Sequence, residues 1–189
     1  MDSLAVLDRA AAGFLSVLIT VRDDQWNGPT GNEGQDVRAL VDHVIGGNRM
    51  STVILAGGTR QDGVAQFARS QHDTDRIVAF EESRREMADA FAESGALDRI
   101  VAHPVADMPA AQLLGFRLSE YALHGWDLAR AVGADDAIDP DVVEAVWDFT
   151  VPLAGIMAAS GMFGEGPSGT VSEDAPLEAR LLDLSGRRP

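Results

Sequence analysis

Residues 109–133 read Pro109-Ala-Ala-Gln-Leu-Leu-Gly-Phe-Arg117-Leu-Ser-Glu120-Tyr-Ala-Leu-His124-Gly-Trp-Asp127-Leu-Ala-Arg130-Ala-Val-Gly133. Pro109 suits the first turn of a helix and Gly133 its left-handed close, so the stretch predicts one long helix from Pro109 through Ala131. Leu114, Phe116, Leu118, Tyr121, Leu123, Trp126 and Leu128 leave few polar positions, which marks the helix as central to a core. The exceptions are Arg117, Glu120, His124 and Asp127. Spacings of three, four and seven residues put them on one stripe at about 3.6 residues per turn, so Glu120 and His124 are able to reach one ion. A His and a carboxylate at i, i+4 suit Zn²⁺ or another first-row divalent ion, and on spacing alone an ordinary solvated face explains the pair as well.

Outward from this helix, every other element reads as helical. Leu4, Leu7, Ala11, Phe14, Leu15 and Leu18 recur at helical spacing behind Asp2 and Ser3, which predicts a helix over residues 3–21. The turn-rich run Asn27 to Gly34 precedes a second helix, Asp36 to Ala56, stopped by Gly57-Gly58. Within it His43 shares a face with Leu40, Gly47, Met50 and Ile54, while Arg38, Asp42 and Arg49 mark the expected wet face. His43 therefore points inward, either as a hydrogen-bonded core histidine or toward a cage shared with Glu120 and His124. The Gly46-Gly47 pair weakens the helix or admits a close neighbour. A polar stretch follows, then a third helix from Thr74 to Ser94. Residues 97–108, with Pro104, read as an irregular connector in preference to a strand. Asp139-Pro140 starts a fifth helix reaching Ala159 with a kink near Pro152, and Pro176 to Leu184 forms a last short one. The expected fold is all-α, with residues 1–189 as a single domain.

Composition narrows the function. The chain has 189 residues, 46% of them hydrophobic and 24% charged, the balance of a folded globular protein. Its apolar runs are far shorter than the roughly 20 residues a bilayer needs, and Met1-Asp2-Ser3-Leu4 lacks the marks of a secretory signal, so a cytoplasmic protein is expected. A formal charge of −15, with scattered arginines, disfavours nucleic acid as a partner. With no cysteine, any metal must use His, carboxylate or water. All fifteen basic residues are arginine, a compositional mark of a high-GC bacterial genome.

Two runs carry a family resemblance. Asp36-Val-Arg-Ala-Leu-Val-Asp-His43-Val-Ile-Gly-Gly47 followed by Arg117-Leu-Ser-Glu120-Tyr-Ala-Leu-His124-Gly-Trp-Asp127-Leu-Ala-Arg130 resembles the actinobacterial DinB-like, mycothiol-dependent maleylpyruvate isomerase group. Trp26 with Pro29-Thr30, and Asp174-Ala-Pro176 through Leu182 and Gly186-Arg187, are similar to the family's opening and closing elements. The resemblance implies a DinB-like four-helix bundle with additional C-terminal helices and one divalent metal ion, Zn first, with Ni or Fe next, held by His43, Glu120 and His124. It also implies a low-molecular-weight thiol such as mycothiol, bound as thiolate and attacking a small electrophilic substrate as a transferase or isomerase. The chain departs from the family where Pro-Thr-Pro-Cys-x-Gly-Trp is usual: it reads Pro29-Thr30-Gly31-Asn32-Glu33-Gly34-Gln35, which leaves substrate and thiol use open.

Other residues have roles to be decided. Asp127 is expected to orient a ligand by accepting a hydrogen bond from behind it, or to carry a proton, or else to be an exposed acid. Arg117 either holds a substrate carboxylate or thiol, or pairs with Glu120 or another acid. Trp126 is either a core aromatic or a wall of the substrate pocket. The Gly161 to Gly169 loop, with Met162 and Phe163, is either a lid or a plain exposed loop, and His72 and His103 are given no role. A metal-assisted hydrolase and a non-catalytic metal- or ligand-binding bundle, for sensing, stress response or homodimer formation, are the alternative functions.

Overall fold

The computed structural model describes residues 2–32, 34–70, 74–159 and 166–188. Four long helices make the body: α1 (Ser3–Leu18), α2 (Val37–Leu55), α4 (Arg76–Ala92) and α5 (Ala110–Val132), with a short α3 (Arg60–Arg69) between the second and third of these. Asp2, Asp36 and Asp75 each accept a backbone N–H of the turn they precede, which satisfies part of the orphaned donor set at each N-terminus. α5 ends on Gly133 in the left-handed region, as its sequence predicts. α1 packs on α5 and α4, and α2 packs on α4 and α5, so the four helices close a ring around one core. At its centre the rings of Phe14 and Phe80 stack at 4.9 Å and Tyr121 meets Phe80 edge-on at 5.7 Å. The expected all-α four-helix bundle is therefore present. The additional C-terminal helices are α6 (Pro140–Thr150), α7 (Ala154–Ala159) and α8 (Leu177–Leu184), of which α6 leans on α5 and α1 and α8 on α6. Among the described residues, no helix is long and apolar enough to cross a membrane.

The structure corrects five local readings. Helix α3 stands in the stretch read only as polar, with no helix assigned to it. It escapes an apolar periodicity because it fully buries only Gly63, whose bare Cα sits against Ile54 and Met50 of α2. Its signal was local: Thr59 and Asp62 form a reciprocal capping box. The 97–108 connector contains a hairpin, β1 (Ile100–Ala102) paired antiparallel with β2 (Asp107–Pro109), whose strands are too short to show alternation. Pro109 thus ends a strand and caps α5 instead of opening it. The fifth helix stops at Thr150 and passes through a 3-10 turn, Val151–Leu153, before α7, because Pro152 has no N–H for the helical ladder. Asp42, expected on a wet face, is buried and takes two hydrogen bonds from Arg76 at 2.7 and 2.9 Å. Helical periodicity gives an angle around α2, and the arrival of α4 on that side decides what the angle meets. Residues 161–165, which include Met162 and Phe163, and His72 lie outside the described residues.

The glycine pair of α2 sets how near its neighbours come. A Cβ on Gly46 would press on Phe67 and Ser70 at the end of α3, and one on Gly47 would overlap the Arg117 guanidinium arriving from α5. Gly47→Ala should therefore push Arg117 out of its hydrogen bonds to Val44 and Asn48 and lower the stability by about 1–3 kcal/mol in urea denaturation, whereas Gly13→Ala, inside α1 with open space for its added Cβ, should raise it by about 0.4–1 kcal/mol.

Candidate metal centre

His43 on α2 and Glu120 and His124 on α5 meet between the two helices, and their ligand atoms lie within 4.8 Å of one another. His43 Nε2 is 2.9 Å and His124 Nε2 is 3.3 Å from the same oxygen, Glu120 Oε2. The two imidazoles lie 76° apart in plane with centroids separated by 5.2 Å. Side-chain exposure falls from 38% at His43 through 30% at Glu120 to 17% at His124, so the cluster is reached from the His43 side. There a cleft of about 410 Å³ opens, lined by His43, Gln35, Arg38, Asp42 and Phe67 among others. The Phe67 ring of α3 stands edge-on to His43 at 5.5 Å, so the helix that the sequence reading missed supplies one wall of the approach.

Behind His124 the contacts are tighter. Its Nδ1 lies 3.1 Å from Asp127 Oδ2. Asp127 is buried, and both its oxygens are occupied: Arg187 donates through Nε to Oδ1 at 2.8 Å and through Nη2 to Oδ2, and Asn32 Nδ2 donates to Oδ2 at 3.2 Å. The exposed-acid reading of Asp127 is thereby excluded. Asn32 and Arg187 are the contributors that sequence reasoning missed, although both lay in sight. Asn32 stood in the run that departs from the family pattern, and Arg187 followed the last helix.

Arg117 and Trp126 lie elsewhere. The Arg117 head is buried inside the bundle, donating through Nη2 to Val44 O at 3.0 Å and Asn48 Oδ1 at 2.9 Å, and its Nη1 is 3.9 Å from Glu120 Oε2. Tyr121 also donates to Asn48 Oδ1, at 2.8 Å, so these three residues tie α2 to α5 just below the cluster. Trp126 lines a different cleft, with Phe14 and Val17 of α1, and lies against Arg130 at 5.2 Å. His103 stacks over Phe116 of α5, and burial, followed by the charges of Arg117 and Arg60, depresses its pKa.

The charge state follows from these neighbours. Burial would raise the Glu120 pKa, but His124 and His43 outweigh it and hold the carboxyl well below the usual carboxylate range. Burial likewise opposes the charge on His124, and Glu120 and Asp127 overcome it, pushing its pKa up to about 9. Asp127 resists its own burial through His124 and Arg187 and stays low. These neighbours favour the charged forms of Glu120, His124 and Asp127 together.

A bundle with a two-histidine, one-carboxylate cluster between two of its helices defines a class of helical protein with a candidate metal site. Residues 7–129 match the family model of the mycothiol maleylpyruvate isomerase N-terminal domain, and the chain belongs to that family. Uncharacterized proteins from two strains of Mycobacterium tuberculosis are 28% identical over 180 residues, covering 93% of this chain and 89% of theirs. The crystal structures of the mycothiol-dependent maleylpyruvate isomerase and of a histidine-to-alanine mutant share the fold, with a TM-score of 0.66 at 17% identity over 83% of this chain and 68% of that one.

The raised His124 pKa has a measurable sign. Protonation of His124 favours the metal-free fold fully below its ordinary value of 6.5, and that contribution is lost as pH rises through about 9. Glu120 and Asp127, held low, contribute above their ordinary values of 4.5 and 3.8 and lose it as pH falls. Chemical denaturation of the metal-free protein should show greatest stability at about pH 5–6.5 and a decline on the order of 2 kcal/mol by about pH 9. His124→Gln should flatten that alkaline decline.

Proposed function

We propose that this chain binds one divalent metal ion, Zn²⁺ first among the candidates, through His43 Nε2, Glu120 and His124 Nε2, and acts with a low-molecular-weight thiol of the mycothiol type on a small electrophile as an isomerase or transferase. The observation that carries this reading is the convergence of both imidazoles on one carboxylate oxygen beside an open cleft. The donor set fits an ion. Ligands about 2.0–2.2 Å from a tetrahedral centre stand roughly 3.3 Å from each other, close to the 2.9 and 3.3 Å from the two imidazoles to Glu120 Oε2, with all three ligand atoms within 4.8 Å. Three protein ligands leave one position free, the pattern of catalytic sites, whereas structural zinc is closed by four. When bound, the ion would supply Lewis acidity, lowering the pKa of a thiol or water in the free position.

The chain's own residues define the rest. With an ion bound, Asp127 accepting from His124 Nδ1–H would select the tautomer whose Nε2 lone pair lies on the side of Glu120 and His43. Its bonds to Arg187 and Asn32 suit a fixed acceptor in preference to a proton carrier. Arg38 and Gln35 border the cleft and are placed to bind polar groups of the thiol or substrate, a role the enclosed Arg117 is not placed to fill. Phe67 offers an apolar surface beside His43. The chain has no cysteine, so the thiol must come from solution. Membership of the maleylpyruvate isomerase family supports isomerisation as the first activity to assay.

Plasma mass spectrometry of the purified protein tests the site. Near-stoichiometric metal is expected in the wild type, lost in His43→Ala and in Glu120→Ala/His124→Ala, with mycothiol-dependent turnover of maleylpyruvate falling at least 100-fold in the same variants. A wild type that neither carries metal nor takes up Zn²⁺ or Ni²⁺ would overturn the reading.

A further inference from the structure

The outer support of His124 comes from two segments remote in sequence from α5. Helix α8 ends at Leu184, and Gly186, at φ +80°, reverses the chain so that Arg187 N–H reaches back to Leu182 O at 2.9 Å. That turn aims the Arg187 side chain at α5, where it takes Asp127 in the two-point grip described above, while Nη1 donates to Ser185 O at 3.3 Å. From the opposite direction, the loop before α2 is folded by Thr30 Oγ1, which donates to Gln35 O at 2.8 Å, and by the Pro29–Asp36 bridge. Asn32 Nδ2 is shared between Gln35 Oε1 at 3.1 Å and Asp127 Oδ2 at 3.2 Å. Asp127 is thus held at both oxygens before it meets His124.

We infer that Arg187 and Asn32 are positioning residues of the metal centre: by clamping Asp127 from the turn after α8 and from the loop before α2, they fix the orientation of His124 and set the affinity of the site. This rests on the proposed metal ligation by His43, Glu120 and His124. A carboxylate held by one hydrogen bond swings with its partner, whereas a forked guanidinium grip fixes its plane. With that plane fixed, the imidazole keeps its Nε2 toward Glu120 Oε2. The clamp also explains how a buried carboxylate is tolerated, since Arg187 supplies the opposite charge at contact. The chain keeps a built polar contact in the run where its sequence leaves the family pattern.

Zn²⁺ affinity by competition with a chromogenic chelator, and the visible spectrum of the Co²⁺-loaded protein, test the inference with no assay of turnover. Arg187→Met should weaken Zn²⁺ binding by about 10–100-fold and alter the Co²⁺ ligand-field bands. Arg187→Lys, which restores the charge without the fork, should recover only part of the affinity, and Asn32→Ala should cost several-fold. An arginine with a merely structural role would lower the melting temperature of the metal-free protein and leave affinity and spectrum unchanged. That result in Arg187→Met would overturn the inference while the ligand assignment stands. If Arg187→Met fails to fold, unchanged affinity and spectrum in both Arg187→Lys and Asn32→Ala would overturn it equally. A wild type that binds neither ion would overturn the ligand assignment, and the clamp's role with it.

Discussion

The structure depends on the distance between α2 and α5. His43 and Glu120 are 77 residues apart in the chain and meet at 2.9 Å only because α2 presents Gly47 where Arg117 of α5 must pass. The Arg117 head then binds the Val44 carbonyl and Asn48, and Tyr121 binds the same Asn48 oxygen, so the helices are joined by oriented polar contacts as well as by apolar packing. Apolar contact is adaptable in register, whereas a buried hydrogen-bonded network is costly to satisfy in any other arrangement. This layer lies one helical turn from the cluster, which makes the register of α2 on α5 a condition for the site.

Charge is organised around the cluster in successive shells. Glu120 lies between two imidazoles, Asp127 lies behind one of them, and Arg187 lies behind Asp127. Each buried charge has an opposite charge in contact, as burial requires. The alternation raises the proton affinity of His124 and lowers that of both carboxyls, so a metal ion bound there at neutral pH, as proposed, would have to compete with the proton on His124. The Asp42–Arg76 pair does similar work between α2 and α4 without joining the cluster, and Arg76 also lies over Trp26 at 5.6 Å. Buried ionic contacts therefore orient α2 on both its flanks.

Much of this was legible in sequence because it is local. Periodicity places Glu120, His124 and Asp127 on one stripe of α5 and His43 on the inner face of α2, and Asp36 and Gly133 mark the start of one helix and the end of the other. The motif pattern pointed to the family to which residues 7–129 belong. Helix α3 was missed because its capping box is its main local signal and it buries almost nothing apolar, and the hairpin because three-residue strands have no period to detect.

Tertiary structure alone decided which polar faces are wet and which residues complete the site. Asp42 looks like a surface acid in a helical wheel, and the stripe of Asp127 left a buried support and an exposed acid both open; each is buried because an arginine from another element arrives opposite it, Arg76 from α4 and Arg187 from the turn after α8. Arg117 and Trp126 share a helix with the presumed ligands, yet one is enclosed under Gly47 and the other faces α1. The sequence by itself determined the helices, their inner faces and the i, i+4 pair, since these follow from backbone geometry over a few residues. The cleft beside His43, the wall made by Phe67 and the clamp on Asp127 depend on contacts between segments 24 to 95 residues apart. Those contacts arise from how the helices pack, which no local pattern encodes.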